Sequence, residues 1–171
     1  MNTKKLFNMN KGLFIDLSQI SANRPIEVRN TRKDCIIQVT EGLFVSGIQA
    51  ANNLDSLRRK GITVIINLVS SFQQNQFEND FNYISYNIRD NCHTSIKKEL
   101  QELANKIKFH IENGDKVLVH CKKGISRSPS IAIGYLIKYG GMNFDSAIAH
   151  IQEKDDRISP NVGFLLQLKT L

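Results

Sequence analysis

The sequence predicts an α/β fold: a mixed sheet of about five strands, parallel at its centre, with helices on both faces. Three observations carry the prediction. Short β-branched and apolar runs at 63–69, 83–88 and 117–120 read as strands, and the first is apolar enough to be buried on both faces. Segments at 96–111, 130–139 and 144–154 are long enough, and apolar in the right pattern, to be helices. The two kinds of segment alternate, as they do where crossover helices join parallel strands.

Taken in order, residues 36–40 and 43–45 read as two short strands with Glu41-Gly42 as their turn. Residues 46–51 lead into a short helix over 53–60, which Gly61 ends. The strand at 63–69 follows. Residues 70–80 are polar and rich in Gln and Asn; a helix-containing crossover is expected there, with Phe72 and Phe77 facing inward. The strand at 83–88 comes next. Ile96, Leu100, Leu103, Ile107 and Ile111 then lie at helical spacing up to Gly114, which predicts an amphipathic helix packed on the sheet. The central strand is 117–120. The helix at 130–139 stops at Gly140-Gly141, the helix at 144–154 has Asn143 as its cap, and Ser159-Pro160 is expected to open the last helix.

The chemistry is concentrated in residues 117–130, VLVHCKKGISRSPS. A strand runs into His120-Cys121, five residues separate Cys121 from Arg127, and Ser128-Pro129 opens a helix. A loop of this length can turn its backbone N–H groups onto one point and make an anion-binding nest. Gly124 gives the conformational freedom such a loop needs. The helix N-terminus adds positive potential at the same point. A phosphate dianion fits there, and so does a thiolate, the nucleophilic form of Cys121. Arg127 can grip two phosphate oxygens at once.

HCKKGISRS resembles the HCxxGxxR[ST] signature of the cysteine-dependent phosphatases, and its surroundings resemble the dual-specificity protein phosphatases. The resemblance runs from about Ile36 to Leu171 through EGLFVSGIQAANN, GITVIINLV, YISYNIRD and RISPNVGFLLQL. It implies the cysteine-phosphatase fold, with the site at the carboxyl end of the central strand. It implies two steps on a phosphorylated protein: transfer of phosphate to Cys121, then hydrolysis. Asp90, after the strand at 83–88, matches the family's general acid. Ser128 would assist release of the thiolate. His120 would fix the loop and stabilise the negative sulfur. Lys122, Lys123, Gly124, Ile125, Ser126 and Arg127 would bind the phosphate. Asn161 and Gln167 match the family's PN…QL segment, where Asn161 would either bond near the loop or cap a helix. No metal or cofactor is implied, because the nest and Arg127 provide the positive charge.

The substrate is less constrained. The chain has no Trp, so the tryptophan-bearing acid loop of tyrosine-specific phosphatases is missing. This points to a shallow pocket that admits phosphoserine and phosphothreonine as well as phosphotyrosine. Lys123 departs from the small residue that relatives carry. Extra charge at the rim also suits a phosphoinositide, an RNA 5′-phosphate, a phosphoglucan or a multiply phosphorylated peptide. A phospho-binding module without turnover is the reading from another class, but such proteins usually lack the Cys or the Arg, and both are present.

With 171 residues, 41% of them hydrophobic, one domain is expected. The net charge of +7 favours acidic partners without choosing among them. With the resemblance, a phosphoprotein is expected rather than a nucleic acid, and the chain is expected to be a monomer. The three cysteines form no framework or CxxC pair, so neither disulfides nor zinc are implied; Cys92 could still pair with Cys121 on oxidation. No run of ~18 apolar residues would span a membrane. The N-terminal stretch, broken by Asn8, Asn10, Lys11 and Asp16, does not read as a signal peptide, and Asn2 is incompatible with myristoylation. The cytoplasm or nucleus is the expected location. Residues 1–34 carry seven basic residues (Lys4, Lys5, Lys11, Arg24, Arg29, Arg32, Lys33) against three acidic ones (Asp16, Glu27, Asp34). A loosely packed basic arm or one short helix around 13–20 is expected; its cluster at 29–33 could dock acidic partner surfaces, a kinase among them, or act as a nuclear import signal, and a solvated basic tail is the plainer reading. The catalytic domain is then 35–171.

Overall fold

The computed structural model describes residues 35–171. The basic arm, its expected helix and its docking cluster lie outside the described residues. Five strands form one sheet: β1 (Ile37–Gln38), β2 (Leu43–Gly47), β3 (Val64–Asn67), β4 (Asn82–Ser85) and β5 (Val117–Cys121). Their order is β1-β2-β5-β3-β4. Only the short edge pair β1–β2 is antiparallel; β5 runs parallel to both neighbours, and β3 parallel to β4.

The strand pleat sorts the side chains into two cores. Phe44, Ile65 and Leu118 are register partners on one face, where they pack with Ala50, Ala51 and Leu57. Those three residues come from α1 (Ile48–Ala51) and α2 (Leu54–Lys60). Leu43, Val45, Val64, Ile66, Val117 and Val119 point to the other face and its larger core. That face is covered by α3 (Lys97–Glu112), α4 (Arg127–Tyr139), α5 (Phe144–Lys154) and α6 (Val162–Leu168). Leu100, Leu103 and Ile107 of α3 are fully buried there, as their spacing predicts. The mixed sheet with helices on both faces is the fold the sequence predicts.

The chain leaves β2 through α1 and α2 on one face and returns to β5 through α3 on the other. The crossovers therefore part at β5, and its carboxyl end, Cys121, sits at the switch point where open α/β sheets take ligands.

Two expectations need correction. Residues 70–80 form turns rather than a helix, and Phe72 is 66% exposed. The buried Asn67 explains this: its Nδ2 donates to Gln73 O (2.8 Å) and Asn75 Oδ1 (3.1 Å), which holds the segment in a turn. Phe77 does pack inward, against the smaller core. The last helix begins at Val162 rather than at Ser159-Pro160, with Asn161 as its N-cap.

Candidate active site

The loop between β5 and α4 is pressed onto the end of β2. Gly124 has φ +76°, and a Cβ there would lie 2.6 Å from Gly47 N and 2.8 Å from Ser46 C. A side chain is excluded by both conformation and contact. A Cβ on Gly47 would in turn meet the Lys123 carbonyl at 3.1 Å. Ile48 N–H donates to Lys122 O (3.3 Å) and fixes the same approach.

This packing aims donors at sulfur. Cys121 is 1% exposed. Gly124 N–H donates to its Sγ at 3.3 Å. The Ser128 hydroxyl lies between Sγ (3.2 Å) and the carbonyl of Ser46 (3.3 Å), so its one proton can serve either acceptor. No side chain caps α4, which leaves the positive end of its dipole at the loop. Its N-cap residue, Ser126, uses its hydroxyl elsewhere.

That hydroxyl donates to Asp90 Oδ1 at 2.7 Å. Asn161 Nδ2 donates to the same oxygen at 2.9 Å, while Asn161 Oδ1 accepts Phe164 N–H at the start of α6. Asn161 thus does both things left open by its sequence position. Asp90 Oδ2 stands 3.5 Å from Arg127 Nε. Arg127 Nη1 donates to Ile88 O (3.2 Å), whereas its buried Nε has no hydrogen-bond partner among the described residues. Nε therefore faces the Asp90 carboxyl as an ion pair without a hydrogen bond.

Asp90, Cys121, Lys122, Lys123, Ile125, Ser126, Arg127 and Asn161 line one cleft of about 270 Å³, joined by Ser159. Gly124 and Ser128 are buried and reach the cleft through their contacts with Cys121 Sγ. His120 is also buried, at 3% exposure, and burial pushes its imidazole down to about 4. It is neutral at pH 7. The expected stabilisation of negative sulfur cannot therefore come from an imidazolium charge. At the rim, Lys122 Nζ sits 4.8 Å from the centroid of the exposed Phe72 ring.

Several contributors were not legible in the sequence. Ser46 and Gly47 brace the loop from a distant strand, with no local signal. Phe72 was expected in the core. Gln167 holds the backbone at 94–96; its match to the PN…QL segment was the only hint. All three cysteines are free thiols, with Cys35 and Cys92 exposed. Among the described residues no group of three or more His, Cys, Asp and Glu is placed to hold a metal ion, and no helix is long and apolar enough to cross a membrane.

Comparison with known proteins agrees with this geometry. The family model for the dual specificity phosphatase catalytic domain matches residues 43–171. The chain is 33% identical over 150 residues to dual specificity protein phosphatase 1 of Arabidopsis thaliana, covering 86% of this chain and 75% of that protein. It is 32% identical over 137 residues to protein phosphatase Slingshot of Drosophila melanogaster, covering 80% of this chain but only 13% of that protein. Among solved structures, the human tyrosine phosphatase-like serine/threonine/tyrosine-interacting protein superimposes with a TM-score of 0.74 at 33% identity, over 79% of this chain and 93% of that one. By sequence, fold and the loop that carries Cys121, the chain belongs to the dual specificity protein phosphatase family.

Proposed function

We propose that this chain hydrolyses phosphate monoesters of tyrosine, serine and threonine on proteins through a phosphorylated Cys121. One observation carries the reading: a thiol, a guanidinium and a carboxyl paired with it converge on a single cleft. In the first step the Cys121 thiolate attacks phosphorus in line. The S–P bond forms, the ester P–O bond breaks, and the Asp90 carboxyl gives its proton to the leaving oxygen. Arg127 and the loop N–H groups hold the three other oxygens. In the second step water attacks phosphorus and gives a proton to the Asp90 carboxylate. The P–S bond breaks, the freed thiolate accepts the Ser128 and Gly124 hydrogen bonds, and orthophosphate leaves. Neutral His120 orients the strand end beside the sulfur.

The protein phosphatases among the matched relatives support a protein substrate. The exposed Lys122 and Lys123 favour a phosphoresidue with acidic or phosphorylated neighbours. Residues 35–171 act as the catalytic unit, and the basic arm at 1–34 docks a phosphorylated partner such as a kinase, in the cytoplasm or nucleus.

The test is hydrolysis by the wild type, Cys121→Ser and Asp90→Asn of four substrates: an aryl phosphate, a doubly phosphorylated Thr/Tyr peptide, an inositol phospholipid and a triphosphorylated RNA. The expected result is turnover of both peptide sites, lost in Cys121→Ser and reduced about 100-fold in Asp90→Asn. Turnover of the lipid or RNA alone, or turnover that survives Cys121→Ser, would overturn the reading.

A further inference from the structure

Asp90 belongs to a segment that has no right to a fixed position. Between β4 and α3, residues 89–93 are all exposed, and a loop with so little buried surface is held by its hydrogen bonds or not at all. Its near end is secured: Ile88 is buried, its N–H donates to Leu68 O (3.1 Å), and its carbonyl accepts from Arg127. Inside the loop, Asn91 makes a local turn, accepting His93 N–H at its side chain and Thr94 N–H at its carbonyl. That turn shapes the loop without attaching it to anything.

The attachment of the far end comes from α6. Gln167 Oε1 accepts Ile96 N–H at 2.7 Å. Gln167 Nε2 donates to Thr94 O at 2.9 Å and to Gly163 O at 3.0 Å. One amide side chain thus bonds both backbone groups where the loop enters α3, a helix whose N-cap, Ile96, makes no side-chain cap of its own. Between the two contacts the loop lies directly on the helix. A Cβ added at Gly163 would fall 1.9 Å from Cys92 O. Asn161, Gly163 and Gln167 therefore meet the loop at the carboxyl, at Cys92 and at 94–96 in turn. Phe164 and Leu168, fully buried, fix α6 itself in the core.

We propose that Gln167 is a positioning residue for Asp90. It clamps the far end of the acid loop to α6, so that the carboxyl stays over Cys121 rather than swinging with an exposed loop. The proposal rests on Asp90 being the general acid. Gln167 touches neither substrate nor the reacting atoms and acts only through the position of that carboxyl. Loss of a group that only orients the acid should be selective: substrates whose leaving oxygen needs a proton suffer, and those whose leaving oxygen departs unaided do not.

The experiment measures kcat and KM for two substrates in the full chain: a phosphoserine peptide, with a poor leaving group, and a dinitrophenyl phosphate, with a good one. The variants are Gln167→Ala, Gln167→Glu, Asp90→Asn and the Asp90→Asn/Gln167→Ala double. Gln167→Ala is expected to lower kcat on the peptide by about tenfold and on the aryl ester by no more than about twofold, with KM little changed. In the Asp90→Asn background the same change should have no further effect on either substrate. Gln167→Glu keeps an acceptor for Ile96 N–H and loses the donors, so it should fall between wild type and Gln167→Ala. It carries the test if the alanine variant does not fold. An equal loss on both substrates, no loss on either, or a full additional loss in the double variant would overturn the proposal. If Asp90→Asn itself fails to discriminate between the substrates, it is the assignment of Asp90 that falls instead.

Discussion

At the residue scale, the site depends on side chains that break a local rule in order to face the cleft. A serine before a helix ordinarily caps it; Ser126 gives its hydroxyl to Asp90 and leaves α4 uncapped. This use could not be read from the sequence, because nothing local distinguishes the two. Cys121, Gly124 and Arg127 were legible for the opposite reason: a loop of fixed length between a strand and a helix admits few alternatives. His120 shows how burial changes a reading. Its imidazole is pushed from the ordinary 6.5 to about 4 by desolvation. The unfolded chain therefore binds a proton between those values that the folded chain does not, and stability falls as pH drops from 6.5 toward 4. The full penalty, about 3 kcal/mol, is reached below the lower value and is absent above the higher one. His120→Asn should flatten this part of the curve when denaturant midpoints are measured across the range. An unchanged slope would assign the acid sensitivity to other groups.

At the element scale, α6 is short yet joins the acid loop to the core. Its N-cap separates two roles that one residue performs. Asn161→Ala removes both the cap and the amide that donates to Asp90. It should cost about 1 kcal/mol of stability in a denaturant titration and also lower kcat on poor leaving groups. Asn161→Asp keeps a capping oxygen, loses the donor and sets a second carboxylate against Asp90. It should cost less stability than the alanine variant and at least as much activity. Wild-type stability and wild-type kcat in Asn161→Asp, with losses confined to Asn161→Ala, would mean that capping is all Asn161 does. Helices with strong periodicity or clear caps, such as α3 and α5, were legible almost to their ends. The turns at 70–80 were not, because a buried Asn67 from the preceding strand decides their shape. The start of α6 was misplaced by two residues, because Ser159-Pro160 carries a start signal as good as that of Asn161.

At the scale of the whole molecule, the elements and their sequence followed from the pattern of apolar runs, but the order β1-β2-β5-β3-β4 did not. Insertion of β5 between β2 and β3 is a long-range pairing with no local signature, and it puts the loop carrying Cys121 against Ser46 and Gly47. Charge also belongs to this scale. The net charge of +7 and the basic residues of 1–34 are the basis of the proposed docking of an acidic partner. Deletion of 1–34 should leave kcat/KM for a small aryl phosphate within about twofold and weaken turnover of a phosphorylated kinase, more so at low salt. A large loss on the small ester would place the arm in the catalytic unit. The central claim is that phosphate passes through Cys121, and rapid acid quenching during turnover of an aryl phosphate, followed by mass spectrometry of the digested protein, tests it most directly. The account predicts one phosphoryl group on the peptide that contains Cys121, formed in a burst and absent from Cys121→Ser. Turnover with no covalent species, or a phosphoryl group on any other residue, would contradict it.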